Sequence, residues 1–109
     1  DGDGHRGFYD AARALLDLGH RHIAHIAAPS IYMFARERRA GWRAALHDAG
    51  VGEDAQEASA EPNEAGGYAA ADQLLRVGRR PTALLCASDA MAIGAMRRIK
   101  GPCVRAISS

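Results

Sequence analysis

Apolar residues along this chain alternate between helical spacing and short continuous runs. The first helical stripe consists of Phe8, Ala11, Ala12, Leu15 and Leu16. Gly19 then supplies the left-handed residue that often follows a helix, and the apolar run 23–28 is typical of a buried strand. The pattern therefore predicts a helix followed by a strand.

The alternation continues through the rest of the chain. A second helix is predicted from about Phe34 to Ala49, with Gly50 as its stop, and a third is predicted to begin near Asn63-Glu64. Between these two helices, residues 51–62 are rich in Glu, Asp, Ala and Gly, and they form either a loop or a weak strand. Gly78 is expected to end the third helix.

The segment from Pro81 to Met96 carries the clearest local signals. An apolar run at 82–87 predicts a second buried strand, and Ser88-Asp89 then stops it and provides an N-cap oxygen for a fourth helix. A last short strand is expected from Cys103 to Ile107. Strands separated by helices predict an α/β fold, a parallel sheet with helices on both faces. In it, strands 22–27 and 82–87 should be parallel neighbours.

Composition limits the class of protein. The 109 residues suffice for one domain or for half of a larger one, and 48% apolar with 25% charged residues is ordinary globular composition. A net charge of +1 leaves no basic face for nucleic acid in this chain, and no apolar stretch approaches a membrane span. Cys86 and Cys103 are interpreted as reduced core residues, with a disulfide between them as the alternative.

Catalytic and metal chemistry find little support. His20, His22 and His25 are close in sequence, but His22 and His25 take opposite faces of a strand and cannot converge on a metal ion. His20 is expected to bond to nearby backbone as a turn residue. The chain has no nucleophile elbow, P-loop or Gly-x-Gly-x-x-Gly motif. The sequence therefore predicts a protein that is not an enzyme and that uses no cofactor.

Four residues remain as candidates for ligand contact, because ligands of open α/β sheets bind beyond the carboxyl ends of the strands. Arg38 offers a rigid fork of donors, or it is an exposed arginine paired with Glu37 or Asp48. Ser88 presents a hydroxyl, or only caps the fourth helix. Tyr32 and Phe34 follow the first strand in a loop, where they stack on a ligand or cover the core.

Several of these segments together resemble one family. The stretches are Leu18-Gly19-His20-Arg21-His22-Ile23-Ala24, Ala35-Arg36-Glu37-Arg38-Arg39-Ala40-Gly41-Trp42, Glu64-Ala65-Gly66-Gly67-Tyr68 and Pro81 through Met96. They are similar, in order and near spacing, to the effector-binding domain of LacI/GalR-type transcriptional regulators. That domain has two lobes like those of periplasmic sugar-binding proteins, and the similarity lies mostly in the second lobe.

The resemblance implies roles for individual residues. The effector-contacting arginine of the family corresponds to Arg38, the residue before the helix-capping aspartate to Ser88, and loop contacts to Tyr32 and Phe34. The last helix contributes to the family's dimer interface. Ile93 and Arg97 match positions that face the partner, and Met96 is an apolar position of that helix that the chain leaves without cover.

The resemblance also implies a function. We expect residues 1–109 to be a partial effector-binding domain, without the DNA-binding headpiece, of a cytoplasmic homodimeric regulator. Its partners would be a small sugar-like effector and, through the headpiece, operator DNA. The alternative is a periplasmic sugar-binding protein of a transport system, which shares the fold.

Overall fold

The computed structural model describes residues 3–76, 79–99 and 105–107. In this part of the chain, helices and strands alternate as α1 Asp3–Asp17, β1 Ile23–Ala27, α2 Met33–Asp48, β2 Glu57–Ser59, α3 Glu64–Leu75, β3 Ala83–Cys86, α4 Asp89–Arg98 and β4 Arg105–Ile107. The strands form one parallel sheet in the order β2-β1-β3-β4. The α/β fold with a parallel sheet is therefore confirmed.

The two central strands are the ones that the sequence marks most strongly. Strand β1 pairs with β3 in parallel, with Ile23 opposite Ala83 and Ile26 opposite Cys86. Every residue of both strands is buried. Parallel strands covered by helices on both faces become continuous apolar runs in this way. The expectation that 22–27 and 82–87 are parallel neighbours is confirmed.

Helices cover the two faces of the sheet in pairs. Helices α1 and α2 pack on one face, where the large core side chains are Phe8, Leu15, Ile23, Trp42, Leu46 and Leu85. Helices α3 and α4 pack on the other, where the large core side chains are Ile26, Leu74, Leu84 and Met91. Alternate residues of β1 and β3 thus supply the two cores.

The helix ends follow local sequence chemistry. Gly19 and Gly50 have φ angles of 100° and 73°, the left-handed region expected just past a helix. The side chain of Asn63 accepts a hydrogen bond of 2.7 Å from the Gly66 amide and caps α3. Gly78 and Cys103 lie outside the described residues. In the uncertain segment 51–62, the structure places the short edge strand β2.

Two glycines bring α3 and α4 into backbone contact. A Cβ added at Gly67 would lie 2.6 Å from Met91 Cα and closer still to the Met91 carbonyl oxygen. A Cβ added at Gly94 would lie 2.9 Å from the Tyr68 backbone nitrogen. These distances are too short for any side-chain carbon, so the close packing of this helix pair requires glycine at both positions.

Candidate functional site

At one edge of the sheet, the ends of β1 and β3 meet the first turns of α2 and α4. We call the surface formed there by Tyr32, Phe34, Arg38 and Ser88 the crevice. Arg38 is a residue of α2 and donates a hydrogen bond from Nη1 to the main-chain carbonyl of Ala87, the residue before Ser88. The structure therefore brings Arg38 and Ser88, which are 50 positions apart in sequence, to the same place.

The sequence left open whether Arg38 contacts a ligand or is an exposed surface arginine. In the structure, Arg38 is half-buried. Asp48, one of its two candidate ion-pair partners, accepts a hydrogen bond of 2.6 Å from the Tyr9 hydroxyl. The Arg38 guanidinium carbon lies 5.0 Å from the centre of the Phe34 ring and 5.7 Å from that of Phe8. These contacts hold the cation against two aromatic rings. A guanidinium has five N–H donors, and the Ala87 carbonyl accepts a hydrogen bond from only one of its nitrogens, Nη1.

The two aromatic side chains at the crevice, Tyr32 and Phe34, have different surroundings. Tyr32 and Phe34 stack with ring centres 5.5 Å apart and planes 27° apart. Phe34 packs against the α3/α4-side core. It lies in the first turn of α2, the helix predicted to begin near this residue, and so not in the loop after β1. Tyr32 is 41% exposed, so part of this side chain remains accessible to solvent beside Phe34.

Ser88 caps α4. Its Oγ accepts a hydrogen bond of 3.2 Å from the backbone amide of Met91, and its backbone is extended. A hydroxyl that accepts one bond still carries its own proton as a donor. Ser88 can therefore serve the helix and a polar ligand at the same time.

A polar network beneath the crevice was not found in the sequence. His25 of β1 is fully buried, and its Nδ1 lies 2.8 Å from Oε2 of Glu57 on β2. The Nε of Arg39 on α2 donates to both carboxylate oxygens of Glu57 at 2.9 Å. We call these three residues the His25 network. The signal that could have found it is a histidine inside an apolar strand, but its partner depends on the register of β1 and β2, which pairs His25 with Glu57.

Burial decides the protonation of this network. Removal from water lowers the pKa of His25 below its ordinary value of 6.5, although the hydrogen bond and charge of Glu57 act in the opposite direction. Burial raises the pKa of Glu57, but hydrogen bonds from His25 and Arg39 outweigh it and the net pKa lies below 4.5. Neutral His25 thus contributes stability that is complete above its ordinary pKa and is lost as the pH falls below 6.5. The ionised Glu57 contributes stability that is lost only at more acidic pH, as the pH falls through its lowered pKa.

His20 and Cys86 have structural surroundings. The His20 Nδ1 lies 2.8 Å from the Thr82 hydroxyl, so the expected bond to nearby backbone is wrong. Cys86 is a buried free thiol whose pKa burial raises to about 12. Among the described residues, no three His, Cys, Asp or Glu side chains are grouped to hold a metal ion. No helix in that part of the chain is long and apolar enough to cross a membrane.

A groove at the opposite edge of the sheet has different chemistry. It is lined by charged and polar side chains that include Arg21, His22, Asp54 and Arg79. Arg79 and Asp54 pair there at 3.0 Å, so opposite charges within the groove compensate each other. The crevice, by contrast, combines a cation, a hydroxyl and a partly exposed tyrosine.

Helix α4 exposes apolar side chains on the side away from the sheet. Ile93 is 46% and Met96 60% exposed, and Tyr68 of α3, also exposed, lies on the neighbouring helix. Arg97 pairs with Glu64 of α3 at 3.2 Å. We call Tyr68, Ile93, Met96 and Arg97 the α4 surface. It contains every residue that the resemblance placed at a dimer interface.

Comparison with known proteins identifies the family of this chain and agrees with its fold. The family model described as "Periplasmic binding proteins and sugar binding domain of LacI family" matches residues 3–109. The chain belongs to this family. Among curated LacI-family relatives, the HTH-type transcriptional regulator AglR of Rhizobium meliloti (strain 1021) is 39% identical over 91% of this chain. The chain spans 28% of the length of that relative.

Solved structures of the LacI family share the fold. A sugar-binding transcriptional regulator (LacI family) from Escherichia coli, complexed with phosphate, has a TM-score of 0.90 at 28% identity, over 97% of this chain and 41% of the other. A dimeric Lac repressor with a C-terminal deletion has a TM-score of 0.86 at 32% identity, over 96% of this chain and 41% of the other. These relatives are regulators and not enzymes, in agreement with the non-enzymatic function expected from the sequence. They favour a transcriptional regulator over the alternative of a transport protein.

Proposed function

We propose that this chain is the ligand-sensing part of a LacI/GalR-type transcriptional regulator and that the crevice binds a small polar effector such as a sugar. The observation that carries the proposal is the meeting of Arg38, Ser88 and an exposed aromatic ring at the carboxyl edge of a parallel sheet. The regulatory relatives support the wider role, in which a headpiece outside these 109 residues binds operator DNA in the cytoplasm.

Each crevice residue has a distinct part in this proposal. The guanidinium of Arg38 is fixed by Phe34 and the Ala87 carbonyl, and its other donors serve hydroxyl or carboxylate oxygens of the effector. The Ser88 hydroxyl donates to a further oxygen. The exposed ring of Tyr32 stacks on the apolar face of a sugar ring.

The proposed mechanism is differential binding. The effector favours one arrangement of this lobe relative to the rest of the protein, and its different affinity for the two arrangements shifts their equilibrium. The shift changes the affinity of the headpieces for operator DNA, and by linkage operator DNA changes the affinity for the effector to the same extent.

The test of the crevice is the substitution Arg38→Ala in the full-length protein. Calorimetry with a panel of monosaccharides and disaccharides first identifies a sugar that binds. We expect the variant to bind that sugar about 30-fold more weakly, since about 2 kcal/mol of charge-assisted hydrogen bonding is lost. Because Arg38 is half-buried, we also expect a stability loss of about 1 kcal/mol.

The matched control is Arg43→Ala, which removes an exposed arginine from the same helix outside the crevice. It should leave the sugar affinity unchanged. If Arg38→Ala binds the sugar as tightly as the unmodified protein, the assignment of Arg38 is wrong. If no sugar of the panel binds, the sugar class is wrong.

We also propose a homodimer that uses the α4 surface. Ile93 and Met96 are apolar and open to solvent, and such patches mark interaction sites. A two-fold axis would place the same surface of two copies together. The dimeric Lac repressor among the structural relatives supports this assembly.

The substitution Ile93→Glu is expected to weaken this dimer at least about tenfold, because each interface would bury two unpaired carboxylates. Sedimentation velocity of the full-length protein across a dilution series measures the change. Gln73→Glu adds the same charge at another exposed position and should leave the dimer intact. Equal dissociation constants for the two variants would contradict the role of α4.

A further inference from the structure

The His25 network is unusual for the interior of a protein. The His25 imidazole stacks on Trp42, with ring centres 5.0 Å apart, and meets Phe8 edge-on at 6.0 Å. Its Nε2 is buried without a hydrogen-bond partner in the described part of the chain. The ring thus has a carboxylate beside Nδ1 and the aromatic rings of Trp42 and Phe8 packed against it.

These contacts select the neutral form of His25 with its proton on Nδ1. The Glu57 carboxylate is an acceptor, so Nδ1 must donate to it. Arg39 already compensates the charge of that carboxylate. A second proton, on Nε2, would place an N–H beside aromatic side chains with no acceptor among the described residues, which is costly in a buried site.

The network is connected to Arg38 by two routes. Arg38 and Arg39 are adjacent on α2, and their side chains tie that helix to two different strands, Arg38 to the end of β3 and Arg39 to Glu57 on β2. In addition, the Phe8 ring lies between His25 and Arg38. It contacts the edge of His25 and also the Arg38 guanidinium.

We propose that His25 is a positioning residue for Arg38: its neutral form holds α2 in the rotation that keeps the Arg38 guanidinium in the crevice, and protonation releases it. The proposal deepens the proposed function, on which it rests for the role of Arg38. It makes the geometry of the crevice sensitive to pH. A proton on Nε2 needs an acceptor or water, so the protonated imidazole is expected to leave its buried position beside Phe8 and Trp42. Trp42 belongs to α2, and Phe8 packs in the same core cluster, so this movement would shift α2.

The charged groups around His25 limit what else could produce such a response. Glu57 faces it from β2, Arg39 of α2 bonds to that carboxylate, and Arg38 of α2 lies over the Phe8 ring. From α1 the contacting residue is Phe8, and from β3 the residue in register is Leu85, both apolar. Glu57 titrates below its ordinary pKa of 4.5, and arginines stay charged, so neither kind of group accounts for a response between about pH 5 and about pH 6.5.

The test is side-chain NMR of the full-length protein, isotopically labelled at histidine and arginine, between about pH 8 and about pH 5. Signals are assigned with His25→Asn and Arg38→Lys. We expect the Arg38 guanidinium signal to shift with the same midpoint as the His25 signal, below pH 6.5. His25→Asn carries an amide donor near the position of Nδ1 but cannot take up a proton, so its Arg38 signal should keep the high-pH position throughout.

A second variant keeps the proposal testable if His25→Asn does not fold. Glu57→Gln removes the charge that favours protonated His25, so both midpoints should move together to lower pH. An Arg38 signal that stays in place while His25 titrates would overturn the proposal. A His25 signal that does not titrate before the protein unfolds would do the same. No effector is present in these measurements, so their failure is distinct from a failure of the crevice to bind a sugar.

Discussion

Replacing Gly67 with alanine is expected to destabilise the protein by about 3 kcal/mol, the upper range for an added carbon in a closely packed site. The added Cβ would lie 2.6 Å from Met91 Cα, and the obstructing atoms belong to the backbone of α4. A side chain could turn aside, but a helix backbone cannot move without separating α3 from α4. Leu74 and Met91, which pack between this pair and the sheet, would lose contacts as well.

Denaturant unfolding of the full-length protein, followed by circular dichroism, measures this effect. Gly52→Ala is the matched control, because its Cβ would meet its neighbours at 3.4 Å or more, an ordinary contact distance. That variant should be neutral or slightly stabilised, since alanine restricts the unfolded chain more than glycine does. Similar unfolding midpoints for the two variants would show that the α3–α4 packing is looser than described.

The largest loss of stability is expected from Trp42→Ala, at about 4 kcal/mol. Trp42 is fully buried between α2 and the sheet, stacks on His25, and donates from its indole nitrogen to the Ile23 carbonyl at 3.0 Å. Alanine would leave a cavity next to β1 and remove the donor. The same denaturant measurement gives the change in unfolding free energy.

Trp42→Phe separates the two contributions. Phenylalanine keeps most of the buried ring but has no donor for the Ile23 carbonyl, so we expect a smaller loss of about 2 kcal/mol. A loss for Trp42→Phe as large as that for Trp42→Ala would mean that the hydrogen bond, and not the packing of the ring, dominates.

The parts of the fold that the sequence predicts are those governed by short-range chemistry. An apolar run with a capped helix after it identified β3 and α4, and Ser88 is indeed the cap. Glycines at helix ends identified where α1 and α2 stop. Each of these signals depends on residues within a few positions of one another.

The parts that the sequence did not settle depend on register between distant segments. Strand β2 has three residues and no clear apolar alternation, so only its pairing with β1 defines it. That pairing places Glu57 beside His25, which lies 32 positions earlier. Likewise, the bond from Arg38 to the Ala87 carbonyl follows from the order of the strands and has no local sequence signal.

The glycine contacts between α3 and α4 have a mechanical consequence. Because backbone meets backbone at Gly67 and Gly94, the two helices interlock and cannot slide along each other without steric overlap. They are therefore expected to move as one rigid pair, with Ser88 at the start of α4 and Met96 about two turns along it. A change of backbone position at Ser88 is therefore expected to displace both helices together, including the exposed side of α4.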